Sequence, residues 1–221
     1  MRLAPFLLVG LVACSSVESQ RRDAKLFRTV IDEEQKGFEE LGSGDDALER
    51  IKTYSEKEFS KWQASRLNSA MERYQTATIA AGLMEDKTLS RMVQVDIQLT
   101  VTDAFLDVHS WTAIKRQLID QKGLLEFHDN QKRSVSESSK RSEMLMAYME
   151  IKANGGDPRN AQTLFESHAK RSRTIRDDTY MLLSHLGLEI DLCVERGSDG
   201  SHIQEPHCQK CGGFGAYFVE K

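Results

Sequence analysis

The residues best equipped for chemistry sit near the C-terminus, in the stretch HCQKCGGFG (207–215). Cys208 and Cys211 are two residues apart, His207 precedes them, and Cys193 and His202 lie upstream. Thiolates and imidazoles at such spacing can complete a tetrahedral zinc site. Cys193, Cys208 and Cys211 with either His207 or His202 would give the three-cysteine, one-histidine set. The same cysteines can instead form a disulfide, either Cys208–Cys211 or one from Cys193 to Cys208 or Cys211. A redox role fits less well. Redox pairs place the first cysteine at a helix N-terminus, which depresses the thiol pKa, whereas Gly212, Gly213 and Gly215 discourage a helix there. Structural zinc and a disulfide both stay open, and either makes the pair a staple for the tail.

The fourth cysteine, Cys14, has a different setting. Arg2 is a short positive region, Leu3 to Val12 form an apolar run, and polar residues follow at once. That run is shorter than the roughly 20 residues a spanning helix needs, and it reads as a targeting segment. Its end, Leu11-Val12-Ala13-Cys14, resembles the lipobox of bacterial membrane lipoproteins. The resemblance implies a signal peptide over residues 1–13, cleavage before Cys14, a diacylglycerol on its sulfur and acylation of the new amine. Several acyl chains anchor stably where one is marginal. Ser15 stands where an aspartate would signal retention at the inner membrane, so the resemblance implies the periplasmic face of the outer membrane. The alternative is an ordinary secretory signal and a soluble periplasmic or secreted protein. CQKCGGFG, in turn, resembles one CxxCxGxG unit of the cysteine-rich domain of DnaJ-type chaperones, with Cys208 and Cys211 in the zinc-ligand positions. That family pairs repeated units. A single copy without a J-domain signature implies the turn and not the chaperone activity.

Catalytic sets are missing from the sequence: it holds no GxSxG, no glycine-rich phosphate loop and no HExxH. The histidines His109, His128, His168 and His185 are scattered singly, as surface or satisfied core residues are. The acidic pairs Glu33-Glu34, Glu39-Glu40 and Asp45-Asp46 read as solvated or helix-start charges. No enzyme is expected, and no catalytic residue is assigned. The formal net charge of -4 argues against a nucleic-acid binder. Lys170, Arg171, Arg173 and Arg176, beside Asp177 and Asp178, read as a solvated helix face. The expected partners are the membrane, through the lipid, and an envelope protein for which this chain is a non-catalytic binding or assembly factor. The alternative function is metal binding or thiol chemistry at the C-terminal cysteine cluster.

These residues need a scaffold, and composition points to a mainly α one. Aromatics make up 7% and only three prolines occur, which suits a bundle of long amphipathic helices better than a sandwich. The expected organisation is a lipidated tether over 14–22, a helical domain over 23–194 and a Cys/Gly-rich tail over 195–221. Leu26, Phe27, Val30, Ile31, Phe38 and Leu41 trace a first helix stopped by LGSGDD (41–46), with Ser43 or Asp45 capping the next. Leu48 through Tyr74 reads as one long helix lasting to Gly82. Residues 91–103 are ambiguous. Their alternating Val93, Val95, Ile97, Leu99 and Val101 suit a strand, for which AYFV (216–219) would be the partner, but a helical stripe also runs through them and helix is favoured. Residues 120–142 read as a loop or exposed helical extension, and a helix around Met144–Ile151 ends at NGG (154–156). Asp157-Pro158 opens the next helix, and a last one spans Asp178 to Val194 with Tyr180, Leu183, Leu186 and Ile190 inward. Met144, Met146, Met149 and Met181 serve as adaptable core filler.

Overall fold

The computed structural model describes residues 4–117, 121–185, 190–192 and 216–218, with side chains from Val17 to Gln117 and from Lys122 to His185. The architecture is mainly α. Six helices, α1 (Ala4–Leu41), α2 (Gly44–Thr53), α3 (Glu56–Gly82), α4 (Lys87–Lys115), α5 (Gln121–Ala153) and α6 (Arg159–His185), are followed by strands β1 (Ile190–Leu192) and β2 (Ala216–Phe218). Helix α4 is the spine: it packs on α3 to one side and on α5 and α6 to the other, while α1 lies along α3.

That central place resolves the ambiguity at 91–103. The stretch is helical throughout, as favoured. Val93, Ile97, Leu99 and Val101 are all buried, because a helix with neighbours on several sides buries more than one stripe and blurs its own period. AYF does form a strand, but it pairs antiparallel with β1, Leu192 opposite Ala216, and not with 91–103. This is a correction to the last helix as well. Helix α6 begins after Asp157-Pro158 and ends at His185, and Ile190 lies in β1 rather than on a helix face.

Local chemistry sets the breaks. Gly42 at φ 71° terminates α1 in the left-handed region. Ser43 then caps α2 in a reciprocal box with Asp46. The long helix expected from Leu48 to Gly82 is interrupted at Tyr54-Ser55, where Ser55 and Glu58 form a second capping box. Lys115 Nζ pins that break by donating to the carbonyls of Ile51 and Tyr54 at 2.6 and 2.5 Å. The serine-rich segment after residue 120 belongs to one unbroken helix, α5. Asp23 of α1, buried despite its charge, accepts from the backbone N–H of Glu85 and Asp86 at 2.7 and 2.9 Å and so ties α1 to the α3–α4 turn.

Several apolar residues expected in the core are exposed: Phe38, Leu48, Met146 and Met181. Met144 and Met149 do pack against the core. Residues Val17 to Arg22 are largely exposed, and Asp23 is the first buried residue among those whose side chains are described. Among the described residues, no helix is long and apolar enough to cross a membrane.

Candidate functional site

Of the sites expected from sequence, Cys193, His202, His207, Cys208 and Cys211 lie outside the described residues, and Cys14 lies in α1 where side chains are not described. Among the described residues no cluster of three or more histidine, cysteine or acidic side chains could hold a metal ion. The histidines are separate. His168 Nδ1 pairs with Glu137 Oε2 at 2.7 Å and His185 Nδ1 with the Met181 carbonyl at 2.7 Å, and His128 is exposed. His109 is held neutral, its pKa pulled down to about 3 by burial and by the nearby Arg116 charge.

The structure brings together a set the sequence did not announce. Four helices each send one ionisable or phenolic side chain into the centre of the bundle: Glu34 from α1, Tyr74 from α3, Asp96 from α4 and Arg141 from α5. Arg141 is fully buried, and its Nε donates to Asp96 Oδ1 at 2.6 Å. It also donates to the Ser172 hydroxyl of α6, which in turn donates to the His168 carbonyl at 3.1 Å. A guanidinium does not give up its proton, so Asp96 is the anion that answers Arg141. Burial, and then the Asp96 charge, push the Glu34 carboxyl well above the usual range. Burial raises the Asp96 carboxyl too, but Arg141 beside it opposes the rise, so the protonated form is favoured most at Glu34. The expectation that Glu33-Glu34 is a solvated pair fails at Glu34, which faces inward while Glu33 meets Lys36 and Arg73 on the surface. One signal was available: Asp96 is a lone acid in an apolar run, and a buried charge demands a partner.

Beside this network, between the α1–α2 corner and the faces of α4, α5 and α6, lies a cleft of about 700 Å³, within the range of small-ligand sites. Helix α4 supplies its floor. Asp103, Asp107 and Trp111 recur at intervals of four, which puts them on one face, one turn above another. Phe127 of α5 meets Trp111 edge-on, with ring centroids 6.4 Å apart at 81°. Phe38 of α1 and Val135 of α5, both exposed, complete an apolar wall, and Ser134, Ser138, Ser139 and Ser142 give α5 a hydroxyl-bearing face. Phe38 is thus a cleft residue, not a core one.

The polar lining is arranged, not random. Ser134 Oγ donates to Asp103 Oδ2 at 2.8 Å, and Gln131 Nε2 donates to Asp107 Oδ1 at 2.8 Å. Arg66 stands 3.9 Å from Asp107, but it is committed elsewhere: it donates to the Leu41 carbonyl and to Gln63 and lies over the Trp62 ring, 4.4 Å from its centroid. Burial raises both carboxyls; Arg176 opposes the rise at Asp103, and Arg66 opposes it at Asp107. Of the basic cluster, Lys170, Arg171 and Arg173 are exposed as expected, but Arg176 turns into the cleft. The serines of α5 read as a loop signal in sequence; in the helix, Ser134, Ser138 and Ser142 recur at steps of four and so share one face.

Fold and site together define a class: a mainly α bundle carrying a ligand-sized cleft with an aromatic end and a carboxylate floor. No protein-family model matches the chain, and comparison with curated proteins and with solved structures finds no match for it.

Proposed function

We propose that this chain is a lipid-anchored envelope lipoprotein, held through Cys14 to the periplasmic face of a bacterial outer membrane, whose helical body is a non-catalytic binding or accessory module. The single observation that carries the binding role is the cleft between α1, α2, α4, α5 and α6, where apolar walls meet polar groups fixed by one another. Fixed polar groups within an apolar recess orient a bound molecule and set its identity. The anchor rests on Leu11-Val12-Ala13-Cys14 and is supported by the largely exposed residues that follow, Val17 to Arg22, which leave the body free to stand off a surface.

Two experiments test the two halves. Intact mass of the mature protein from membranes should show residues 1–13 removed and acyl mass added at Cys14, and Cys14→Ser should abolish both; an unmodified N-terminus on the wild type sinks the anchor. A crosslinked pull-down from solubilised membranes should recover a specific envelope partner, lost when the cleft is blocked by Ser138→Trp. Equal recovery with the blocked variant removes the cleft from the partner role.

A second reading, a metal-binding or thiol-active protein using Cys193, His207, Cys208 and Cys211, is favoured by one observation. The pairing of Leu192 with Ala216 brings together two positions, one adjoining Cys193 and the other five residues from Cys211 in sequence. Native mass spectrometry separates its forms: one zinc per chain supports the metal site, and a loss of two hydrogens supports a disulfide.

A further inference from the structure

We infer that the α4–α5 cleft is a binding site for a small amphipathic organic cation, an amine carried on an apolar body. This deepens the reading of the helical body as a binding module and is independent of the anchor. Three features of the cleft select that chemistry.

The first is charge at the lining. Asp103 and Asp107 face the space, against one guanidinium, that of Arg176. Arg176 acts on Asp103, while the cation nearest Asp107 is Arg66 at 3.9 Å, beyond hydrogen-bond reach and already donating to Leu41 and Gln63. Asp107 accepts from Gln131 at 2.8 Å but keeps 26% of its side-chain surface open, so a ligand can reach its carboxylate from the cleft. The second feature is the aromatic end. Trp111 is one turn beyond Asp107 on the same face, with Phe127 edge-on to it. A cation between a carboxylate and an indole gains from both the charge and the ring quadrupole. The third is the apolar wall: Phe38 and Val135 line the recess with exposed side chains, against which the uncharged body of the ligand would lie. An anion would meet two carboxylates on the floor, and a neutral ligand would gain nothing from their charge.

The test uses the full-length chain purified in a neutral detergent, with detergent alone as the blank, and three probes of one shape: phenylbutylamine, phenylbutanol and phenylbutanoate. Calorimetry should show saturable binding of the amine, about tenfold tighter than the alcohol, the value of one added ion pair of modest strength, with the carboxylate weakest. Asp107→Asn should remove the amine's advantage and leave the alcohol unchanged. Because Asp107 also accepts bonds that hold α5, the exposed rim residue Val135 gives a second pair: Val135→Lys should weaken the amine several-fold and Val135→Glu should not. Binding of the carboxylate as tight as the amine, equal binding of alcohol and amine, or no saturable binding of any probe overturns the inference. If no probe binds while the pull-down still recovers a cleft-dependent protein partner, the ligand class falls and the binding role stands.

Discussion

Arg141 and Asp96, 45 residues apart in sequence, meet at 2.6 Å with side chains 0% and 4% exposed. The pair joins α5 to the central helix and, through Ser172, draws in α6. Breaking one side of such a pair strands a buried charge, whereas replacing both by apolar groups of similar volume removes the desolvation cost along with the attraction. Arg141→Met should therefore cost about 3–5 kcal/mol, and Arg141→Met with Asp96→Leu should recover most of that loss. Urea unfolding followed by circular dichroism measures both; a double variant no more stable than the single one would show that the pair does more than neutralise itself.

Glu34 makes stability depend on pH from the acid side upward. Its folded-state pKa is raised, so the fold binds its proton more tightly than the unfolded chain does. The sign follows: the contribution is flat below the ordinary value of 4.5, and stability falls as pH rises from there to the raised value. The slope from this one group is at most about 1.4 kcal/mol per pH unit. Glu34→Gln keeps the shape and removes the proton, so the difference between wild type and variant across that window isolates the effect.

His109 acts in the opposite sense. Its pKa falls from 6.5 unfolded to about 3 folded, so the unfolded chain binds the proton first. Stability should be complete above 6.5 and decline as pH falls towards 3. A His109→Gln variant compared with wild type at neutral pH and at about pH 4 reads this directly; equal sensitivity to acid in both would show that the imidazole is solvated.

Gly37 sits in α1 against Tyr74, where an added Cβ would come 2.7 Å from the ring carbons. Helix propensity favours alanine by about 0.8–1.0 kcal/mol, but overpacking against a buried ring costs about 1–3 kcal/mol. Tyr74 is 0% exposed and has no room to swing away. Gly37→Ala should thus be net destabilising, while Gly82→Ala, with nothing within 4 Å of the added carbon, should be neutral or stabilising. Melting temperatures of the two variants test the contrast.

Much of the secondary structure was written in short-range signals. Gly42 and Ser43 end one helix and begin another, Asp157-Pro158 opens α6, and Ser55 with Glu58 marks a break that the apolar periodicity alone runs across. These work within one turn of backbone, so neighbouring residues suffice to specify them. The lipobox-like run Leu11-Val12-Ala13-Cys14 is local in the same way. Tertiary structure decided what locality cannot reach. Whether Glu34 is solvated or buried depends on Asp96 and Arg141, which lie on other helices. Whether Asp103 and Asp107 are surface acids or the floor of a cleft depends on α5 and α6 standing opposite, and Phe38 became a cleft wall because α2 turns away at Gly42. Burial, and with it charge state and access, is a property of the assembled helices, since it is the neighbouring elements that remove water from a side chain.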